Sequence, residues 1–461
     1  MKLALLGGGG FRVPLVHGAL LRDAHANRVE KVVLHDTDPA RLAAMGHVVR
    51  QQGEQAVRQG ALPIRLGTTT ELDEAVRDAD FVFSAMRVGG LHGRTCDERV
   101  ALDLGVLGQE TTGPGGLAYG LRTIPVALQL ARRVAELAPR AWVINFTNPA
   151  GMVTQAMQQV LGERVVGICD SPIGLARRAA GLLGVDVDRA ALDYVGLNHL
   201  GWLRGLRVDG TDLLPGLVGD GQALARMEEG RLFGADWIQD LAAIPNEYLY
   251  YYYFTRQAVA AIKGAPHTRG EFLLDQQSAF YRQAAADPSS ALAQWRAART
   301  EREASYMAEA REEGEERDET DLASGGYEGV ALALIAAIAR GERSQMLLNV
   351  RNGSAVPGLP ADAVVEVPCA VSGAGVVPLA TRPLDDGPVG RSMLGLVQQV
   401  KAVEELTIRA AATGSVRDAQ AAFALHPLVD SVPVGRQLLE GYRSRIPEVD
   451  AVFGERRTSR V

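Results

Sequence analysis

The stretch that decides the fold is MKLALLGGGGFRVP at residues 1–14, with KVVLHD following at residues 31–36. A short apolar strand from Lys2 to Leu6 runs directly into four glycines, and a helix-compatible stretch continues to about Ala26. A strand that passes through glycines into a helix presents free backbone N–H groups and the positive end of the helix dipole to a pyrophosphate. The pattern therefore predicts a dinucleotide site, although four glycines alone would also suit a flexible turn.

The glycine fingerprint and the second strand together favour NAD. Gly7 and Gly9 match the first two positions of G-x-G-x-x-G, whereas the third position is Arg12. Asp36 ends the second strand, where a carboxylate accepts hydrogen bonds from ribose hydroxyls and repels a 2′-phosphate, which favours NAD over NADP. The predicted cofactor-binding residues are Gly7, Gly9, Gly10, Phe11, Arg12 and Asp36.

Strands and helices alternate along the first part of the chain. Further apolar strands are predicted at Phe81–Ser84, Trp142–Phe146 and Arg164–Ile168, separated by helical segments such as Ile124–Leu137. Such alternation implies parallel strand pairing with helices on both faces. We predict an α/β fold whose Rossmann-type, doubly wound parallel sheet forms an NAD-binding domain at residues 1–195.

The second part of the chain, residues 196–461, is predicted to be a mixed α+β, mainly helical domain for substrate, metal and oligomerisation. Helical periodicity dominates Asp236–Arg311, the last 60 residues are again helical, and a small β element is expected at Asp362–Val371. The charged run Glu301–Asp321 is predicted to be a solvated helix face and loop rather than a partner site. Because no low-complexity linker separates the two parts, we expect them to pack closely.

Composition excludes several classes of partner. The 461 residues are 47% hydrophobic and 22% charged, which allows a large core. A net charge of −7 without a basic cluster argues against nucleic acid. The longest apolar run, Val330 to Ala339, falls short of the roughly 20 residues that cross a bilayer. Since the start is too short for a signal-peptide core and there are only three cysteines, we expect a cytoplasmic protein with no membrane partner.

Two separate segments carry candidate metal ligands. Cys169 and Asp170 follow the apolar strand VVGI, at the carboxyl end of a parallel strand, where open α/β sheets bind ligands. The segment YVGLNHLGW places His199 thirty residues further along the chain. A thiolate and an imidazole can bind one divalent ion, but a buried cysteine and a satisfied core histidine would produce the same pattern.

An aromatic stripe lies in IPNEYLYYYYF, residues 244–254. Tyr248, Tyr251 and Tyr252 share one helical face by their spacing, and such a stripe is usually core packing. A tyrosine beside a metal and a nicotinamide can instead have its pKa lowered enough to act as a base.

These signals together resemble glycoside hydrolase family four, the NAD- and metal-dependent glycosidases, and within it the 6-phospho-β-glucosidases. The likeness covers nearly the whole chain in the family's order. The matching segments are GGGG near the start, RVGGLHGRTCDE (87–98), GQETTGPGG (108–116), NFTNPAG (145–151), GICDSP (167–172), GLNHLGW (196–202), IPNEYLYYYY (244–253), HTRGE (267–271), LNVRNG (348–353) and LPADAVVEVPC (359–369).

The resemblance implies a role for each unusual residue. Cys169 and His199 match the metal ligands, with Mn²⁺ the usual ion, although a thiolate would by itself favour a softer ion such as Zn²⁺ or Fe²⁺. Tyr248 matches the catalytic base, with the tyrosines at 251 and 252 as alternatives. Asp170 matches an acid that the α-type enzymes use to protonate the leaving group.

The same resemblance implies a substrate site and an assembly. Arg94, Glu110 and Asn148 match substrate-contacting positions, and Arg269 matches a phosphate clamp. The expected partner is a small (phospho)glycoside, and the expected assembly is a homodimer or homotetramer.

The implied mechanism is a redox-assisted elimination. Hydride passes from C3 of the sugar to NAD⁺, and the metal polarises the new ketone. A tyrosine then takes the C2 proton, and the aglycone leaves C1. Finally, water adds and the hydride returns. The alternatives are an NAD-dependent hydroxy-acid or sugar dehydrogenase, and an NAD-binding regulator that senses sugar phosphates.

Two departures from the family pattern bear on the substrate. Many members carry a Ser-Thr-aromatic-Thr-Pro stretch after the first glycines, where this chain has Gly10-Phe11-Arg12-Val13-Pro14. The β-type members often have Asn after the metal-binding cysteine, where this chain has Asp170. These departures therefore leave both anomers, and both phosphorylated and unphosphorylated glycosides, as alternative substrates.

Overall fold

The computed structural model describes residues 1–304 and 326–454 of the chain. Its strands are Lys2–Leu6 (β1), Lys31–His35 (β2), Arg65–Thr69 (β3), Phe81–Ser84 (β4), Trp142–Asn145 (β5), Val165–Gly167 (β6), Ala191–Leu197 (β7), Leu200–Val208 (β8), Thr211–Asp212 (β9), Ile244–Pro245 (β10), Ser344–Arg351 (β11), Val364–Ser372 (β12) and Gly375–Pro378 (β13).

Helices fill most of the remaining described chain. They are Val13–Leu21 (α1), Pro39–Arg58 (α2), Leu72–Val76 (α3), Gly90–Asp103 (α4), Pro114–Leu137 (α5), Ala150–Leu161 (α6), Ser171–Leu182 (α7), Leu214–Gly219 (α8), Gly221–Leu224 (α9), Glu228–Phe233 (α10), Ala235–Leu241 (α11), Tyr250–Tyr253 (α12), Thr255–Gly264 (α13), Arg269–Ala286 (α14), Ala291–Ala304 (α15), Tyr327–Arg340 (α16), Gly387–Thr413 (α17), Val416–Leu425 (α18), Val432–Arg445 (α19) and Pro447–Phe453 (α20).

The first six strands are all parallel and lie in the order β3-β2-β1-β4-β5-β6. This is the doubly wound order of dinucleotide-binding domains, so the predicted fold of the N-terminal part is confirmed. The order reverses beside β1, and the crevice that opens there is where such sheets bind their ligands. The strand β3 was not predicted, because its sequence RLGTT has few apolar residues and lies at the sheet edge.

The first helix is shorter than its sequence indicates. We expected it to continue to about Ala26, but α1 ends at Leu21. The carboxylate of Asp23 accepts a hydrogen bond from the backbone N–H of His25 at 3.1 Å. A local side-chain acceptor of this kind offers the backbone an alternative to the helical hydrogen bond, and the helix stops before it.

The sheet continues without a break past β6 into the C-terminal part of the chain. The next strands are β11, β12, β7, β8 and β10, all paired antiparallel. The β element expected at Asp362–Val371 is present as β12. It lies inside a 13-stranded sheet, between β11 and β7. Strands on both sides of residue 195 therefore share one sheet, and the domain division at that residue stays a prediction.

The C-terminal part is mainly helical, as predicted, and its last described residues form four successive helices. Within residues 1–304 and 326–454, no helix is long and apolar enough to cross a membrane. Cys96, Cys169 and Cys369 are buried free thiols. Most of the charged run Glu301–Asp321 lies outside the described residues.

Candidate active site

One large cavity of about 2110 Å³ opens where the parallel strands end. Its walls include the residues that follow β1, β2, β4, β5 and β6, as expected for an α/β sheet that binds ligands at the carboxyl ends of its strands. The structure brings nearly all of the predicted site residues to this one cavity. Those that line it are Gly7, Gly10, Phe11, Arg12, Asp36, Arg94, Glu110, Asn148, Cys169, Asp170, His199, Tyr248 and Arg269.

The turn after β1 is built for close backbone packing. Gly7 has a φ of +84°, and a Cβ atom there would lie 2.5 Å from the carbonyl oxygen of Ala85. The N–H of Gly9 donates to the Asp36 carboxylate at 2.9 Å, and a Cβ at Gly9 would lie equally close to that oxygen. Both glycines are therefore required by the geometry. Gly9 supports Asp36 from behind the cavity wall.

The missing third glycine has a structural explanation. Arg12 stands just before α1 with a φ of −89°, a conformation that any residue adopts, so the turn does not need glycine there. Its guanidinium lies over the rings of Phe146 and Tyr327, at 5.4 and 5.2 Å from their centroids. The carbonyl of Phe11 accepts a hydrogen bond from the indole of Trp295 at 2.8 Å. The altered segment after the glycines is thus anchored by aromatic side chains.

Cys169 and His199 have the chemistry of metal ligands. Burial lowers the pKa of His199 to about 3, so the imidazole is neutral, as a metal requires. Burial, with Glu366 and Asp170 nearby, raises the pKa of the Cys169 thiol well above its usual range. A bound cation would reverse that shift and hold the thiolate. Within the described chain, no third His, Cys, Asp or Glu joins the pair to form a cluster.

Two buried polar atoms, one in His199 itself and one in Asn148 on the same cavity, support the same interpretation. Among the described residues, His199 Nδ1 and Asn148 Oδ1 are buried without a hydrogen-bond partner. Buried polar atoms normally have partners, and an orphaned acceptor is one that a ligand or ion can satisfy. The donor set of sulfur, imidazole nitrogen and amide oxygen therefore fits a divalent metal with coordination positions left open for substrate.

A chain of hydrogen bonds fixes the position of the turn that carries His199. The side chain of Asn198 accepts from the backbone N–H of Ala150 at 3.2 Å and donates to Glu366 at 3.4 Å. Glu366 is buried in β12 and also accepts from Asn349 at 2.7 Å. His199 itself adopts a φ of +63°, which is uncommon for a residue with a side chain. The network thus ties the segments NFTNPAG and GLNHLGW together in space.

Tyr248 is the tyrosine that the geometry favours as a base. Its ring stacks on the His199 imidazole, with centroids 3.6 Å apart and planes 3° from parallel. Tyr251 also lines the cavity but is 2% exposed. Tyr252 lines a separate pocket of about 30 Å³ beside His426, and burial raises its pKa. The role of Tyr248 stays a prediction, and the neighbouring tyrosines contribute to packing.

Glu110 is a buried carboxylate that holds two arginines in the cavity wall. It pairs with Arg87 at 2.7 Å and with Arg94, and Arg94 also donates to Glu98 at 2.9 Å. Burial would raise the pKa of Glu110, but the two guanidinium groups outweigh it and bring the pKa to about 2. Glu110 is therefore an ionised group that holds Arg87 and Arg94 in place, and its contact with substrate stays a prediction.

Arg302 is a site residue that the sequence did not reveal. It belongs to the charged run predicted as a solvated face, yet it lines the cavity, so that expectation was wrong at this residue. Its backbone carbonyl accepts from Arg269 at 2.8 Å, and burial lowers its pKa, with Arg12, Arg269, Arg94 and Arg87 adding to the effect. We call Arg12, Arg87, Arg94, Arg269 and Arg302 the arginine cluster. This concentration of positive charge in a chain of negative net charge suits an anionic ligand.

Comparison with known proteins identifies the family. The family 4 glycosyl hydrolase model matches residues 2–185, and the family 4 glycosyl hydrolase C-terminal domain model matches residues 194–429. The chain belongs to glycoside hydrolase family 4. A probable 6-phospho-beta-glucosidase of Bacillus subtilis is 34% identical to this glycosidase, over 97% of the chain and 98% of the relative. A 6-phospho-alpha-glucosidase of Leptotrichia buccalis is 30% identical, over 95% and 96%.

Solved structures of family members superpose over almost the full length. The 6-phospho-beta glucosidase of Thermotoga maritima, solved with manganese, NAD⁺ and glucose-6-phosphate, gives a TM-score of 0.80 at 26% identity, covering 97% of this glycosidase and 99% of that chain. A 6-phospho-alpha-glucosidase from gut microorganisms, in complex with NAD and Mn²⁺, gives 0.78 at 26% identity, covering 96% and 97%. The relatives include enzymes named for both anomers.

Proposed function

We propose that this family 4 glycosidase hydrolyses 6-phospho-β-glucosides, with NAD and Mn²⁺ as cofactors. The observation that carries the proposal is the meeting of the Gly7–Gly10 turn, the Cys169–His199 pair and the arginine cluster in a single cavity. An ordinary dehydrogenase would account for the Gly7–Gly10 turn, and a sugar-phosphate sensor would account for the arginine cluster. Neither alternative accounts for the Cys169–His199 pair. The names of the relatives support the phosphoglucoside class.

The proposal gives each cofactor a place in the cavity. The turn at Gly7–Gly10 with Asp36 would hold NAD, and Cys169 and His199, with the amide oxygen of Asn148, would hold the metal. When bound, NAD⁺ supplies a reversible hydride acceptor for C3 of the sugar, and the metal supplies the Lewis acid that polarises the adjacent carbonyl.

The chain's own residues then handle protons. Tyr248, next to the metal ligand His199, would take the C2 proton once C3 is oxidised. Asp170 lines the cavity directly after Cys169, where its carboxyl would give a proton to the leaving oxygen at C1. Elimination would break the C1–O bond. The oxygen of water would then add at C1 while its proton passes to Asp170, C2 would take from Tyr248 a proton that has exchanged with solvent, and the hydride would return to C3. The net reaction is hydrolysis, without net consumption of NAD.

Arg269 is expected to distinguish phosphorylated from unphosphorylated substrates. In the Arg269→Ala variant, KM for a 6-phosphorylated substrate should rise by roughly 30- to 150-fold, since a charge-assisted arginine–phosphate contact contributes about 2–3 kcal/mol. KM for the unphosphorylated analogue should change little. Steady-state kinetics with both p-nitrophenyl glucosides measure this, and an equal change for both substrates would remove the clamp role.

The substrate class is tested by a panel of four chromogenic substrates. We expect turnover of p-nitrophenyl 6-phospho-β-glucoside to exceed that of its α-linked and its unphosphorylated counterparts. The observation that favours the α-linked substrate is Asp170, which stands where many β-type members have Asn. Preference for the 6-phospho-α-glucoside would therefore reassign the anomer while leaving the cofactors and the phosphate site in place.

A further inference from the structure

Glu247 is a buried carboxylate beside the predicted base, and the proposed mechanism gives it no role. It lines the cavity but is only 5% exposed. Its Oε1 accepts a hydrogen bond from the Ser171 hydroxyl at 2.9 Å. Ser171 opens α7 and directly follows Asp170, so this bond joins the segment of Tyr248 to the segment of Cys169 and Asp170.

A second contact joins Glu247 to the same helix. Arg178 Nη2 lies 3.8 Å from Glu247 Oε2. Ser171 and Arg178 are seven residues apart, or about two helical turns, and therefore share one face of α7. Arg178 also pairs with Glu229 and, at 3.5 Å, with Glu228. The two oxygens of Glu247 thus contact α7 at two points, and Arg178 has other carboxylate partners.

The burial of this carboxylate has an electrostatic cost. Burial, followed by the negative charge of Glu228, raises the pKa of Glu247 to about 7 despite the nearby Arg178. Desolvation disfavours the charged form of a buried carboxyl group, and the contacts with Ser171 and Arg178 offset part of that cost. Groups with strongly shifted pKa values concentrate at functional sites.

Backbone hydrogen bonds at Asn246 hold the same segment on its other side. Asn246 donates its N–H to the carbonyl of Gly201 at 2.9 Å, which holds the segment to β8 on the His199 side of the site. The side chain of Asn246 accepts from the N–H of Tyr248 at 3.1 Å, which fixes Tyr248 within the segment. The contacts of Glu247 hold it to α7, on the Cys169 and Asp170 side.

We propose that Glu247 is a positioning residue that clamps the Tyr248 segment against the first two turns of α7, and so fixes the base relative to Cys169 and Asp170. The proposal rests on the proposed function, in which Tyr248 is the base. Glu247 touches neither the substrate nor the cofactors in this role. Its effect is on how well Tyr248 is placed for the C2 proton, because a misplacement of about 1 Å in a catalytic group can cost roughly 10²-fold in rate.

The test compares four variants of the full-length enzyme loaded with NAD and Mn²⁺. Glu247→Ala removes both contacts to α7, and Glu247→Gln keeps an oxygen that accepts from Ser171. Ser171→Ala removes only the donor. Glu228→Gln is the matched control, because it takes a carboxylate from the same arginine without touching Ser171. The readouts are kcat and KM for the 6-phosphoglucoside, and the dissociation constants of NAD and Mn²⁺.

We expect Glu247→Ala and Ser171→Ala each to lower kcat by about 10- to 100-fold with the KM and both dissociation constants unchanged. Glu247→Gln should recover most of the rate, and Glu228→Gln should equal the wild type. The double variant Ser171→Ala/Glu247→Ala should be no slower than Glu247→Ala alone, because both substitutions remove the same hydrogen bond.

A multiplicative loss in the double variant, a wild-type kcat in Glu247→Ala, or a parallel loss of NAD or Mn²⁺ binding would overturn the proposal. If the Glu247→Ala variant fails to fold, the test uses the two remaining variants. The proposal then requires a lowered kcat in Ser171→Ala and a nearly wild-type kcat in Glu247→Gln, and any other pattern overturns it. Deuterium uptake at C2 by the wild-type enzyme in D₂O tests the proposed mechanism separately. Deuterium at C2 of the wild-type product, together with an unchanged kcat in Glu247→Ala, would refute only the role of Glu247 and would leave the proposed mechanism in place.

Discussion

Replacing Cys169 with Ser or His199 with Ala is expected to abolish turnover while leaving NAD binding nearly intact. Lewis-acid stabilisation contributes several kcal/mol to a reaction of this kind, so losing the ion should lower kcat by at least about 10³-fold. The two proposed binding sites use different parts of the sheet: the glycine turn proposed to bind NAD follows β1, whereas Cys169 follows β6 and His199 lies between β7 and β8. We therefore expect each variant to lose metal binding and turnover but to keep NAD binding.

The measurement pairs steady-state turnover with direct binding of Mn²⁺ and NAD to each purified variant. Cys96→Ser is the matched control, because Cys96 is also a buried free thiol but does not line the cavity. It should keep Mn²⁺ binding and most of the activity. Strong activity in a metal-stripped Cys169→Ser variant would rule out the metal assignment.

Removing the phenolic hydroxyl of Tyr248 is expected to have the second largest effect. Tyr248→Phe should lower kcat by about 10²–10⁴, the usual contribution of a positioned base. The phenyl ring can still stack on His199, so Mn²⁺ binding should be retained and the loss assigned to proton transfer. Steady-state kinetics at saturating NAD and Mn²⁺ measure the change.

The neighbouring tyrosines are the internal controls for this prediction. Tyr252 lines the small pocket rather than the cavity, so Tyr252→Phe should leave kcat nearly unchanged. Tyr251 does line the cavity, and a large kcat loss in Tyr251→Phe with an active Tyr248→Phe would move the base to residue 251.

Strong local patterns allowed much of the fold to be predicted. The strand at Lys2–Leu6, the glycines and the strand at Lys31–His35 are all present, because an apolar strand ending in glycine has few alternative structures. The sheet position of β12 could not be predicted. Its strand composition is evident in AVVEVPC, but its insertion between β11 and β7 depends on pairing with residues far apart in the chain.

The site residues could be predicted from the family resemblance but not from local chemistry alone. A buried cysteine, a core histidine and a packed aromatic stripe would give the same patterns as Cys169, His199 and Tyr248, so their predicted roles rest on the motifs around them. Arg302 gave no such signal, since arginine in a charged run is usually solvated. The ion pair between Glu110 and Arg87 joins residues 23 positions apart, and only the folded chain shows that Glu110 holds Arg87 and Arg94 in place.

The measurement that tests the central claim most directly is the isotopic content of product formed in D₂O. If Tyr248 abstracts the C2 proton after oxidation at C3, the sugar product should carry solvent deuterium at C2, and NMR or mass spectrometry will detect it. Direct displacement at C1 never breaks that C–H bond. Product with the original hydrogen at C2, formed at full NAD and Mn²⁺ occupancy, would contradict the elimination mechanism.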